Sequence, residues 1–203
     1  MLFNSYEFLI FFLPVVLAGY YFIARPLEAH YRGTTKIFLT LVSLFFYGAW
    51  KREGLFLILT SIVLNFYLAE QIAVLPNPRW KRGLLTAGIG LNLLVLAYYK
   101  YLTFFFEGLA RIHLIDFSAV PASTSIPLAI SFFTFQQIAF LVESYRKSQR
   151  FGGILDYATS VLFFPHLIAG PLVHYSSLRN QFNRFMKAGS HGRNLAIGLA
   201  FLP

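Results

Sequence analysis

Four polar side chains recur inside one apolar stretch, 125–142. Ser131, Thr134 and Gln137 fall on one face at helical spacing, with Gln136 beside them. A second apolar stretch, 157–175, holds Pro165, His166, Gly170 and Pro171, with His174 at its exit. Polar groups set in hydrocarbon are costly, so they face a cavity or another helix, and an imidazole there is a candidate general base. To act as a base it would need a near-neutral pKa and a hydroxyl within reach, and the sequence gives neither. The Ser131–Thr134–Gln137 stripe has two readings, a substrate role or hydrogen bonding between helices. For Asn65 and Asn92, each alone in its span, hydrogen bonding between helices is the favoured reading. Other chemistries lack their residues. There is no Cys, hence no thiolate, disulfide or Cys-ligated zinc. No HExxH or GxSxG occurs, so no metal site is expected, and Gly88-Ile89-Gly90 lies inside a span and reads as packing.

The elements that must position these groups are membrane spans. Of 203 residues, 57% are hydrophobic, 19% aromatic and 12% charged, and mean hydropathy is +0.62. An ordinary soluble domain carries about 25% charged residues. The balance excludes a cytosolic enzyme, a nucleic-acid module and a disordered chain, and points to an all-α integral membrane protein. The net charge of +9 comes from 17 Lys/Arg against 8 Asp/Glu, and the basic residues sit between apolar runs. They read as positive-inside loop charges, not as a nucleic-acid surface. Residues 1–7 carry no Lys or Arg, so the first run is an anchor and not a signal peptide.

The expected architecture is a single multi-span helical bundle. Spans are predicted at about 8–24 (kinked at Pro14), 37–50, 54–69, 84–106 and 125–142. Lys100, near the end of its stretch, could snorkel to the interface. Residues 157–175 read as a Pro-broken re-entrant element, which needs protein or a watery cavity around it. Leu178, Phe182, Phe185 and Met186, interleaved with Arg179, Arg184 and Lys187, predict an interfacial helix over 176–191. The apolar run at 194–203 is too short to span, so the chain is expected to be truncated at its C-terminus. Loops 25–36, 70–83 and 143–156 carry three Lys/Arg each, and 176–193 carries four. A re-entrant 157–175 would put all of them on the cytoplasmic side, with the N-terminus outside.

Phe163-Phe164-Pro165-His166-Leu167-Ile168-Ala169-Gly170-Pro171-Leu172 resembles the FFPxLIAGP signature of the membrane-bound O-acyltransferases. Upstream, the run from Ile126-Pro127-Leu128-Ala129-Ile130-Ser131 through Phe135-Gln136-Gln137-Ile138-Ala139 resembles the family's PLGISFYTFQQIAY block. Asp156-Tyr157-Ala158 falls between the two. Ser43-Leu44-Phe45-Phe46-Tyr47, Asn92-Leu93 and Tyr98-Tyr99-Lys100-Tyr101 match weaker family patterns, and Met1-Leu2-Phe3-Asn4-Ser5 is similar to the bacterial branch. The overall look is closest to the alginate O-acetyltransferase membrane subunits.

The resemblance implies the N-terminal part of an O-acyltransferase fold. It implies transfer of an acyl group, acetyl in the alginate type, from a thioester donor such as acetyl-CoA to a hydroxyl of an exopolysaccharide. It also implies no bound cofactor, a bacterial inner-membrane location and periplasmic acyltransferases as partners. The family's catalytic His lies in a later segment, beyond a WRRWH-like block that this chain lacks, so no catalytic residue is expected before Pro203. His166 stands where the branch often carries Gln, and the catalytic role is not carried over to it. Ser131, Thr134, Gln136, Gln137, Pro165, His166, Gly170 and Pro171 are the expected wall of the passage. From the residues alone, two other classes stay open: a fragment of a secondary transporter, which also uses broken helices, and a non-catalytic assembly subunit. Every acidic residue near a span lies at or near its end, which counts against ion-coupled transport.

Overall fold

The computed structural model describes residues 5–50, 52–112, 126–148, 152–165 and 175. All regular structure among them is helical. With no water at membrane depth, each span must bond its backbone internally, and the described helices of this all-α membrane protein do so.

Helix α1 runs over Glu7–Glu28. Its hydrogen-bond register changes along its length: π-helical at Glu7–Phe12 and Tyr20–Ala24, α-helical at Leu13–Gly19 and Arg25–Glu28. Each π stretch ends just before a proline, Pro14 and Pro26. A proline has no N–H to give and its ring crowds the preceding turn, and the wider π turn accommodates both. Glu28 then caps the next helix. Its two carboxylate oxygens accept from Gly33 N and Thr35 N, each at 2.8 Å, which satisfies donors that a helix start leaves open.

Helix α2 spans Thr34–Trp50 and α3 spans Arg52–Val74. Helix α4 spans Pro78–Arg111, with Pro78 in its first turn and the Asn77 side chain accepting from Arg79 N at 2.9 Å. Its 34 residues rise ~51 Å at about 1.5 Å each, well beyond a hydrocarbon core of ~30 Å. The helix begins upstream of the apolar run at 84, because Arg and Lys are good helix formers. Helix α5 spans Ile130–Lys147 and α6 spans Ile154–Leu162. Among the described residues, Glu7–Glu28, Gly54–Val74 and Pro78–Arg111 are long and apolar enough to cross a membrane, and Thr34–Ala49 is a shorter apolar helix.

One core lies between α3, α4, α5 and α6, around Ile58, Ile62, Leu96, Phe133, Leu141 and Tyr157. A smaller aromatic cluster joins α1 to α2 through Phe8, Phe12, Val16 and Phe46, and Phe164 plugs into it. The Phe164 ring centre lies 5.4 Å from those of Phe12 and Phe46. This anchors the beginning of the Phe163-Phe164-Pro165 segment, while 166–174 of the expected re-entrant element, the 176–191 helix and 194–203 lie outside the described residues.

Among the described residues, Lys36, Lys81 and the C-terminal end of α5 come together at one end through two contacts. Lys36, near the start of α2, pairs with Asp156 at the start of α6 at 2.6 Å. Lys81, near the start of α4, donates to Ser148 just past α5 at 2.5 Å. At the opposite end, Tyr47 Oη donates to Leu128 O at 3.0 Å, and Lys100 donates to Ser131 Oγ at 3.2 Å.

Candidate functional site

The site grows from helix α5, which has polar residues on two of its sides. Toward α3 and α4 it presents Gln137. The carbonyl of Gly88 can only accept, and it takes Asn92 Nδ2 at 2.8 Å. Asn92 Nδ2 also donates to Asn65 Oδ1 at 2.7 Å, and Asn65 Nδ2 returns a bond to Asn92 Oδ1 at 3.2 Å. The two amides thus close a ring between α3 and α4. Asn65 Nδ2 donates onward to Gln137 Oε1 and to Ser61 O, and Ser61 Oγ donates to Gln137 Oε1 at 2.6 Å. The Gln137 oxygen is therefore fully engaged, while its Nε2, buried, has no partner among the described residues. Gly88 packs against α5: an added Cβ would lie 2.9 Å from Leu141 Cδ1, and that side chain would have to shift. Gly90 has no such neighbour among the described residues.

Toward α6, α5 presents Gln136. Its Nε2 donates to Ser160 O at 3.1 Å, and its buried Oε1 has no partner among the described residues. Phe140, one turn on, stacks on Tyr157 with ring centres 4.1 Å apart, and the buried Tyr157 hydroxyl has no partner among the described residues either. Gln136 Oε1, Gln137 Nε2 and Tyr157 Oη are thus buried polar atoms that the described residues leave unsatisfied. Native structures rarely leave such groups without protein or water partners.

Helix α6 is held from its other side by a polar rail on α2. Lys36 pairs with Asp156, Thr40 meets Thr159 at 2.8 Å, and Ser43 Oγ accepts from Phe164 N at 3.2 Å. Thr159 gives its own proton to Leu155 O at 2.7 Å, so Thr40 is the donor of the pair. The rail fixes where α6 ends and where the Phe163-Phe164-Pro165 segment begins.

The start of α5 is strained. Ala129 sits in the left-handed region at φ 55, a conformation that favours glycine. The family block that this segment resembles carries glycine there. Tyr47, bonded to Leu128 O, and Pro127, close against Gly54, hold the turn in place.

The expected wall residues divide as follows. Thr134, Gln136 and Gln137 are 2%, 6% and 0% exposed. Ser131 is half-buried and receives Lys100, which reaches this hydroxyl and lies 5.5 Å from the Tyr101 ring centre. Pro165 is exposed, and His166, Gly170, Pro171 and His174 lie outside the described residues. Asn65 and Asn92 bond across helices, directly to each other. The sequence reading missed Ser61, Thr40, Ser43, Thr159 and Tyr157. The signal was present in part: Ser61 and Asn65 stand one turn apart, as do Lys36 and Thr40. Among the described residues, no group of three or more His, Cys, Asp or Glu could hold a metal.

No protein-family model matches the chain, and no solved structure matches it. Curated relatives do. The chain is 35% identical to a peptidoglycan O-acetyltransferase of Helicobacter pylori, over 98% of this chain and 42% of the relative. It is 34% identical to the probable alginate O-acetylase AlgI of Pseudomonas aeruginosa, over 90% of this chain and 35% of the relative. To the AlgI of Azotobacter vinelandii it is 33% identical, over 90% and 36%. The chain thus spans less than half the length of each. Over part of those proteins' length, the chain is thus a homologue of proteins named as O-acetyltransferases, and its motifs quoted above resemble those of the membrane-bound O-acyltransferase family.

Proposed function

We propose that the whole protein transfers an acetyl group from a thioester donor to a hydroxyl of a bacterial envelope polysaccharide, and that α5 and α6 form part of the wall of its passage. The acceptor oxygen attacks the thioester carbonyl and the thiolate leaves, while a base takes the hydroxyl proton. None of the described residues is given the role of base. The observation that carries the passage is the unsatisfied set Gln136 Oε1, Gln137 Nε2 and Tyr157 Oη. Buried groups of this kind cost about 1–3 kcal/mol each when left without partners, and water or substrate in a passage would supply them. Pro165, His166, Gly170 and Pro171 would continue that wall, with Ser131 and Thr134 on α5.

The relatives' printed names offer two acceptors, peptidoglycan and alginate. In this reading the protein sits in the inner membrane with its N-terminus outside. The basic loops face the cytoplasm, acetyl-CoA is a fitting donor, and periplasmic acyltransferases are the protein's partners. The test is loss of the protein in its host, with base-released acetate measured separately on muropeptides and on secreted polysaccharide. Acetate should fall in one fraction and return on complementation with the wild type, but not with Gln137→Leu at equal membrane abundance. Unchanged acetate in both fractions would refute the activity. Full rescue by Gln137→Leu would leave Gln137 as a bond between helices only.

A further inference from the structure

The fold divides the basic triplet at the start of α4. Lys81 turns toward α5, donating to Ser148 Oγ at 2.5 Å with its Nζ 5.2 Å from the Tyr145 ring centre. Arg79 and Arg82 are exposed, and among the described residues neither forms an ion pair. They head an open, shallow groove of about 690 Å³ along the outer face of α4, lined among the described residues by Gly83, Thr86 and Ala87 below them. The Thr86 hydroxyl is committed to Arg82 O at 3.0 Å, so the groove below the arginines is mostly apolar. A Cβ added at Gly83 or Gly90 would meet nothing among the described residues within 4 Å. An open, small-residue face therefore continues down a helix long and apolar enough to cross a membrane, and this face is the channel for a chain lying along it. Trp80, 73% exposed, stands beside its mouth, a residue type that collects at headgroup level.

Two guanidinium groups three residues apart on a helix are neighbours and repel when no anion lies between them. A phosphodiester offers two free oxygens to their planar forks, and an attached acyl chain fits the apolar channel below. We propose that this groove binds an anionic phospholipid, with its phosphodiester on Arg79 and Arg82 and one acyl chain along Gly83, Ala87 and Gly90. Free phosphate would satisfy the arginines but leave the channel empty, and the continuity of channel and cation pair favours the lipid. The site is independent of the acyl-transfer reading.

The test uses the 203-residue chain in phosphatidylcholine nanodiscs with Trp50→Phe, which leaves Trp80 as the sole tryptophan. Phosphatidylglycerol brominated high on its chains is titrated against equally brominated phosphatidylcholine, and Trp80 quenching is read. Quenching should saturate at a several-fold lower mole fraction of the anionic lipid. Arg79→Gln with Arg82→Gln should abolish that selectivity, and Lys81→Gln should keep it. Gly83→Leu, which fills the channel without altering charge, should weaken it. If the Gln pair misfolds by circular dichroism, Arg79→Lys with Arg82→Lys decides, since it keeps the charge, loses the forks and should reduce selectivity. Equal quenching by both lipids overturns the proposal, as does loss of selectivity in Lys81→Gln to the same degree as in the arginine pair. Relief of quenching by millimolar inorganic phosphate, at a strength where chloride has no effect, would make this a phosphate site and not a lipid site.

Discussion

The α3–α4–α5 knot and the α5–α6 seam are made of similar side chains, yet the first closes on itself and the second does not. In the knot, Gly88 O sets the orientation of Asn92, Asn92 sets Asn65, and Asn65 sets Gln137. Each amide has its direction dictated by the one before it. In the seam, among the described residues, Gln136 has a partner for its nitrogen and none for its oxygen, and the Tyr157 hydroxyl has none. Gln137 belongs to both regions, because the knot consumes its oxygen and leaves its N–H groups as donors. A closed network holds helices together, whereas an open one asks for something the described residues do not supply. Neighbouring residues of one Gln136-Gln137 pair can thus have different uses.

The largest expected effect lies at the centre of the knot. Asn65 Nδ2 shares its two hydrogens among Ser61 O, Asn92 Oδ1 and Gln137 Oε1. Asn65→Leu deprives two other buried amides of partners and should lower stability by about 3 kcal/mol. Asn65→Leu combined with Asn92→Leu should cost less than the sum of the two single changes, because each has already broken the same ring. Unfolding in mixed micelles by denaturing detergent measures both. A loss near 0.6 kcal/mol, about the mean for one bond between membrane helices, would show that the knot has no cooperative character.

The second effect has the opposite sign. Both regions hang from α5, and α5 begins at the left-handed Ala129. A left-handed residue with a Cβ costs roughly 1–2 kcal/mol, and glycine gives back part of that gain as chain entropy. Ala129→Gly should raise stability by about 1 kcal/mol and shift the apparent melting temperature upward. An unchanged or lower midpoint would mean that the turn is not strained. The third is smaller. Thr40→Val removes the donor from the Thr40–Thr159 pair, but Thr159 still gives its proton to Leu155 O. Nothing is stranded, so the cost should stay near 0.6 kcal/mol. A loss of about 2 kcal/mol would show that the rail from α2 couples to the seam on the other side of α6.

Hydropathy made the helices legible in the sequence, because a span must be apolar and internally bonded whatever surrounds it. Their ends were less so. Helix α4 starts at Pro78 and not at the apolar boundary, since helix propensity continues through Arg79–Arg82 after hydrophobicity has stopped. Asn65 and Asn92 could be read as glue, but their pairing could not. It depends on how α3 and α4 are rotated about their axes, which small residues such as Gly88 decide by letting Leu141 approach. Thr40 and Ser43 were hidden for another reason: small hydroxyls in a helix can bond their own backbone, so nothing in their spacing announces a partner on α6. The strain at Ala129 has no signature in composition at all.

The smallest predicted change in stability bears most directly on the contrast between knot and seam. Gln136→Met keeps length and apolar volume while removing one bond, from Nε2 to Ser160 O at 3.1 Å, and one orphan, Oε1. Losing the bond strands Ser160 O, which lies in the last turn of α6 while Phe164 N, its i+4 donor, is given to Ser43 Oγ, and this costs about 1 kcal/mol or more. Removing an unsatisfied buried oxygen returns its desolvation penalty, of order 1 kcal/mol or more. The two roughly cancel, so stability should stay within about 0.5 kcal/mol of wild type. Transfer by the complete protein, measured as polysaccharide-bound acetate, should nevertheless fall if Oε1 serves water or substrate in the passage. Unchanged stability with reduced transfer separates the seam from the knot, where stability should fall first. A large loss of stability would show that the seam closes on itself too, and that its oxygen has a partner in the folded protein.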